Sequence, residues 1–201
     1  MAVDHEMISR GIMFDLLRTR RSIRRYKDKE IEPEIIKLLK EAALRAPSSR
    51  DIKPWRFVFV TDKVKLEELS RAKEHGSSFL SGARLGVVVC AKEDESDVWI
   101  EDCSIASIIL QLAGIGLGLG SCWIQIRNRM YIDGQSSEEY IRRVLNLSRS
   151  TRVESIVSFG YPDEEKPAIP RERLDFHKIS LILFEGLNYW RSSGNEWQRS
   201  H

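Results

Sequence analysis

The chain has little of what staples or metallates a fold. Its 201 residues include three cysteines, Cys90, Cys103 and Cys122, with no CxxC pair among them. Each sits in an apolar run, so the pattern reads as buried thiols of a reducing compartment and argues against a disulfide framework. Four histidines, His5, His75, His177 and His201, are scattered without ligand spacing, which leaves a zinc or iron site nothing to stand on. Net charge is small: 32 basic and 30 acidic side chains give +2, so general nucleic-acid binding gains little support. No Ser-His-Asp or paired-carboxylate arrangement stands out, and no catalytic side chain is assigned. The first residues, Met-Ala-Val-Asp-His-Glu, lack the basic region and apolar core of a secretion signal, and a cytoplasmic location is expected. With no internal repeat and no linker, one domain spanning residues 1–201 is expected.

The one long uncharged stretch runs from Cys103 to Ile126, enough to span a bilayer, with Gly114/Gly118 and Gly116/Gly120 at helix-dimer spacing. Gln111, the four glycines and Ser121 break its second half, so a buried helix turning into a strand fits better and no membrane partner is expected. The glycines lack a Lys-Ser/Thr end and precede a strand, which excludes a phosphate-binding P-loop.

What is present is a local basic cluster. The stretch Arg18 to Asp28 places Arg20, Arg21 and Arg24 around Ser22, between an apolar-periodic segment and Pro33. Guanidinium forks match two oxygens of a phosphate, and a hydroxyl or backbone N–H satisfies a third. A solvated basic turn, or a surface for nucleic acid or acidic lipid, remains an alternative for the cluster alone.

Ile8, Ile12, Leu16 and Leu17 predict a first helix with one apolar face. Pro33 opens a second, with Ile35, Leu38, Leu39, Ala42 and Ala43 inward, closed by Ala46-Pro47. Strands are expected at Trp55 to Thr61, Leu85 to Ala91, Ser121 to Ile126 and Glu154 to Phe159. A short helix follows Asp62, a long one runs from about Asp97 to Gly114, and a capping box at Ser136 and Glu139 starts another through Val144 and Leu147. The sum is an α+β domain with about four strands among helices.

In this order the pieces resemble the nitroreductase family of FMN-dependent, NAD(P)H-using oxidoreductases. The stretches that carry the resemblance are Arg20 to Tyr26, Ala46 to Ser49 with Pro54-Trp55, the helix from Asp102 ending in Gly118-Leu-Gly-Ser-Cys-Trp123, Phe159 to Pro162, and Arg171-Glu-Arg173. The resemblance implies a mostly antiparallel central sheet flanked by helices, an interlocked homodimer, and FMN at the subunit interface. It gives Arg20, Arg21 and Ser22 to the FMN phosphate, with Arg171 and Arg173 reaching it from afar. It sets Arg24 near the flavin pyrimidine edge, where a cation stabilises charge on the reduced ring; a further phosphate or solvent contact is the alternative. Pro47, Ser48 and Ser49 would approach the flavin from the partner subunit.

This chain departs from the family where Asp51 and Lys53 replace a common Asn and Gln. An ionised Asp51 cannot donate to a flavin carbonyl, and pairing with Arg50 or Lys53 is its expected alternative. Trp123, Ile124 and Gln125 match the segment against the flavin near N5, although core packing alone accounts for many strand tryptophans. Gln125 and Ile126 stand where glycines are common, which would narrow the pocket. The tail 177–201 is expected to wrap the partner.

The implied activity is ping-pong transfer of hydride from NADH or NADPH through FMN to a nitroaromatic, quinone or other electron-poor small molecule. The alternatives are a flavin-fragmenting or dehalogenating relative of the fold and a non-enzymatic FMN- or anion-binding protein.

Overall fold

In a computed structural model, residues 3–181 are described. The chain divides into two compact units, Met1–Ala168 and Ile169–His201. The first contains α1 (Val3–Thr19), α2 (Pro33–Leu44), β1 (Trp55–Val60), α3 (Lys63–Ser70), β2 (Leu85–Lys92), α4 (Trp99–Gly116), β3 (Gly120–Gln125), α5 (Ser137–Val144) and β4 (Thr151–Gly160). In the second, the described residues form two 3-10 turns, Arg171–Arg173 and Phe176–Lys178. Most of the tail expected to wrap a partner, residues 182–201, lies outside the described residues.

Three helix starts follow from local chemistry. Pro33 occupies the first turn of α2, where its missing N–H costs nothing. Asp62 caps α3 by accepting from the Lys65 N–H at 2.8 Å. Ser136 and Glu139 form the expected reciprocal capping box of α5.

Helix ends follow equally local rules. α4 stops where Gly118 turns left-handed (φ 77°), its N–H reaching Ile115 O while the Leu119 N–H reaches Gly114 O. That pair of hydrogen bonds is a Schellman closure, and it converts the uncharged stretch into helix, turn and strand. α5 closes in the same way around left-handed Asn146, with Leu147 N–H bonded to Arg142 O. The helix therefore ends at Val144, short of the expected Leu147.

The sheet order is β1-β2-β4-β3, antiparallel at every step. β2 lies inside it with both faces covered, which explains its unbroken apolar run. Leu85, Val87 and Val89 pack with Leu39 of α2 and Cys103, Ala106 and Leu110 of α4, whereas Val88 and Cys90 join Leu66 and Leu69 of α3 and Ile141 of α5. α4 is long and apolar enough to cross a membrane by length and composition. Its Cys103, Ala106, Leu110 and Gly114, spaced three and four apart, form a core-facing stripe instead.

The opposite face of α4 exposes Ile105 and Ile108, and α1 exposes Ile12, Met13, Phe14 and Leu17. The apolar face expected of the first helix is present but uncovered at these positions; the side chain of Ile8 lies outside the described residues.

Candidate functional site

The basic cluster is an extended segment laid against the end of the sheet. Ile23 N–H donates to Ser121 O (2.9 Å), Lys27 N–H to Tyr161 O (2.8 Å) and Asp163 N–H to Arg25 O (2.9 Å). Two glycines paired across β3 and β4, Gly120 and Gly160, make room for it. A Cβ on Gly120 would sit 2.8 Å from Ile23 Cγ2, and one on Gly160 would sit 2.8 Å from the Tyr26 ring. These glycines serve close approach of the segment to the strands. Tyr26 then locks the segment, its hydroxyl 2.7 Å from Ser158 Oγ and 2.6 Å from Ile23 O. Burial pushes that phenol up from its ordinary pKa.

A charged stretch after Gly160-Tyr-Pro162 secures the outer side. The Glu164 carboxylate accepts from Arg24 N–H (2.5 Å) and Arg25 N–H (3.2 Å), and the Arg24 N–H is the first cause holding its pKa below the usual range. Lys166 Nζ donates to Ser22 O at 2.6 Å, and Arg21 donates to Pro167 O. Sequence reasoning missed Glu164 and Lys166 because their partners lie some 140 residues earlier and nothing local marks them.

Arg20, Arg21 and Ser22 are half-buried and Arg24 is exposed. Arg24, Lys166 and Lys73 all act electrostatically on the buried Cys122 thiol, whose pKa burial raises. Their positive charge is therefore felt at one point on β3. Lys73 was also missed; it is half-buried, and desolvation lowers its pKa. Among the described residues, Arg20, Arg21, Arg24 and Lys73 form no ion pair with a carboxylate, while Arg18 and Arg25 do. Uncompensated cations gathered in this way favour an anionic guest.

β3 is an edge strand, and the Ser121 carbonyl already points outward to Ile23. By strand alternation the N–H groups of Trp123 and Gln125 face the same open edge, whereas that of Ile124 faces β4. The Ile124 side chain is buried in the core. Of the expected trio, Trp123 and Gln125 thus present backbone donors outward and Ile124 does not. Trp123 is also more than core packing: it is half-buried, and its indole N–H donates to Gln125 Oε1 at 3.0 Å.

The Pro47 to Lys53 loop is shaped from α4. Asp102, 2% exposed in the first turn of α4, accepts the Ser49 N–H at 2.9 Å, and Ser48 Oγ accepts the Lys53 N–H at 2.8 Å. These bonds hold Arg50, Asp51 and Lys53 at positive φ (53°, 56° and 56°), a conformation that costs about 1–2 kcal/mol for each non-glycine residue. Ser48 and Ser49 are half-buried, while Pro47 and Asp51 are exposed. Asp51 pairs with Lys53 at 3.0 Å and Arg50 with Asp97. Arg171 and Arg173 lie, exposed, in the second unit.

The profile described as "Nitroreductase family" matches residues 17–161. A solved structure described as an FMN-dependent nitroreductase from Clostridium difficile R20291 is 47% identical, with a TM-score of 0.82, covering 84% of this chain and 98% of that one. A protein of Archaeoglobus fulgidus with the provisional name NADH dehydrogenase/NAD(P)H nitroreductase is 37% identical over 155 residues, 75% of this chain and 86% of that protein. A Parabacteroides distasonis structure with the same provisional name is 32% identical, with a TM-score of 0.75 and 83% and 95% coverage. The glycine-bedded basic segment, the all-antiparallel sheet and these matches agree, and the chain belongs to the nitroreductase family.

Proposed function

We propose that this protein is an FMN-dependent oxidoreductase that takes hydride from NADH or NADPH and delivers it, in a ping-pong cycle, to a nitroaromatic, quinone or other electron-poor small molecule. The observation that carries this reading is the set of cations at Arg20, Arg21, Arg24 and Lys73 that have no carboxylate partner among the described residues, with the arginine segment bedded on Gly120 and Gly160 beside the open edge of β3. That surface suits a phosphate joined to a flat, hydrogen-bonding ring.

Arg20, Arg21 and Ser22 would hold the phosphate, with Arg171 and Arg173 assisting. Arg24 and Lys73 would supply positive charge where a reduced ring gathers electron density. The Trp123 and Gln125 N–H groups would orient the ring along the strand edge, while Pro47, Ser48 and Ser49 would close over it from the second subunit. The pairing of Asp51 with Lys53 leaves Asp51 little part in holding the ring. Bound FMN supplies the redox chemistry, so the chain needs no catalytic side chain of its own.

A homodimer belongs to this reading, and the exposed Ile12, Met13, Phe14, Leu17, Ile105 and Ile108 support it, because apolar faces of this kind mark contact surfaces. The single domain with a partner-wrapping tail and the cytoplasmic location are kept as parts of the same proposal.

The test is the visible spectrum of the purified protein, mass identification of any chromophore released by heat, and NADH and NADPH oxidation with a quinone acceptor. FMN release and acceptor-dependent oxidation are expected. A colourless protein that does not take up FMN overturns the reading. A yellow one that oxidises neither nucleotide with any acceptor is a binding protein.

A further inference from the structure

Glu154 is a buried carboxyl that the proposed chemistry does not use. It is 4% exposed, within β4. The β2-β4 register explains its aim: Val89 pairs with Ser155 and the next residue, Cys90, with Val153, so Glu154 is the extra residue of a β-bulge. A bulge frees one side chain from strict alternation and turns it toward a neighbour. Here the neighbour is Gln125 on β3. Around the bulge, Glu154 O accepts from both Ile126 N–H and Arg127 N–H, each at 3.1 Å.

The contacts form a directed chain. Trp123 Nε1–H donates to Gln125 Oε1 at 3.0 Å, and Gln125 Nε2 donates to Glu154 Oε1 at 3.2 Å. Its direction is chemically fixed, because an indole N–H only donates and the amide oxygen must therefore face it. The amide nitrogen is left facing three acceptors, Glu154 Oε1, Glu154 O (3.4 Å) and Arg127 O (3.3 Å). Glu154 Oε2 is buried without a partner among the described residues, a polar atom left unsatisfied in the core. Arg127 beyond β3, Glu101 on α4 and Glu138 on α5 act on it electrostatically, and burial is the main cause raising its pKa.

The geometry points to Glu154 as a positioning residue that, through the Gln125 amide, fixes the Trp123 indole on the edge strand and so shapes the wall that the acceptor meets. This rests on the flavin reading of β3 given above. Of the three acceptors facing the Gln125 amide nitrogen, the Glu154 carboxyl is the nearest and the only side chain, so it adds most to holding the amide, and with it the ring, in one orientation.

The experiment uses the full chain in its purified form. Indole N–H signals are followed by NMR, with Trp123 assigned through Trp123→Phe, and steady-state constants are measured alongside. In Glu154→Ala the Trp123 indole signal should shift and its hydrogen exchange should accelerate. The kcat/KM for the acceptor should fall about tenfold, carried by KM. Glu154→Gln keeps an oxygen that can accept from Gln125 and should restore most of both readouts. If Glu154→Ala does not fold, Glu154→Leu removes the acceptor while filling the volume.

An unchanged indole signal and exchange rate in the apolar variant overturns the inference. So does a Glu154→Gln variant as perturbed as Glu154→Ala, or an altered indole with unchanged KM in the flavin-loaded enzyme. The indole readout needs no flavin, so a protein that binds no FMN fails the functional reading and leaves the hydrogen-bond chain to be judged separately.

Discussion

Replacing Gly160 with alanine tests whether the glycine pair is what seats the arginines. The new Cβ would lie 2.8 Å from Tyr26 Cγ and Cδ1 and 2.9 Å from Tyr26 Cβ. Carbon atoms rest about 3.5–4.0 Å apart, so the segment must withdraw by roughly 1 Å. The ring cannot swing aside cheaply, because its hydroxyl is bonded to Ser158 and Ile23 O. Withdrawal instead stretches the bonds from Ile23 to Ser121 and from Lys27 to Tyr161. Overpacking of this kind costs about 1–3 kcal/mol. At about 2–4 °C per kcal/mol for a chain this size, Tm should fall by about 2–12 °C. Moving Arg20, Arg21 and Arg24 also weakens charge-assisted bonds worth about 1.5–3 kcal/mol each, so the Kd for FMN should rise about tenfold or more.

Gly86→Ala is the control. Its Cβ would meet Leu66 Cδ2 at 3.0 Å, Leu80 Cδ1 at 3.4 Å and Ile156 Cγ2 at 3.7 Å, none of which belongs to the arginine segment. It should lose stability and keep FMN affinity. Calorimetry and flavin titration of both variants decide the matter: unchanged FMN affinity and Tm in Gly160→Ala, or equal FMN loss in Gly86→Ala, refutes the reasoning.

Three further outcomes are expected. Ile108→Glu puts a charge on the exposed apolar face of α4, and burying it at a subunit contact costs several kcal/mol; sedimentation should show monomer with lost flavin, and an FMN-loaded dimer would count against the interface. Glu164 has a folded pKa below its unfolded value of about 4.3, so its stabilisation is present above that pH and is lost as pH falls through the folded pKa. Glu164→Gln should therefore be less stable than the parent at pH 7, with the gap in Tm closing below about pH 4; a gap that persists in acid would reject the ionic role. Asp102→Ala leaves the Ser49 N–H without its acceptor and should cost about 1–3 kcal/mol in denaturant unfolding, whereas Asp102→Asn, which keeps an acceptor oxygen, should cost less.

The sequence by itself determined the elements, because their signals are local. Periodicity gave the helices, β-branched runs gave the four strands, and Pro33, Asp62 and the Ser136/Glu139 pair marked where helices begin. It also showed the arginine cluster and its family setting, since those residues are neighbours in the chain. Gly118 and Asn146 fixed helix ends through their left-handed geometry, which the sequence signalled by glycine in one case and left ambiguous with asparagine in the other.

The tertiary structure alone decided what joins residues far apart. The bedding of Ile23 and Tyr26 on Gly120 and Gly160, the clasp of Glu164 and Lys166, and the electrostatic influence of Lys73 on Cys122 depend on how strands meet. So do the outward N–H groups of Trp123 and Gln125 and the bulge that turns Glu154 toward Gln125. Each is a question of register, and a shift of one residue moves a side chain to the opposite face without altering local propensity.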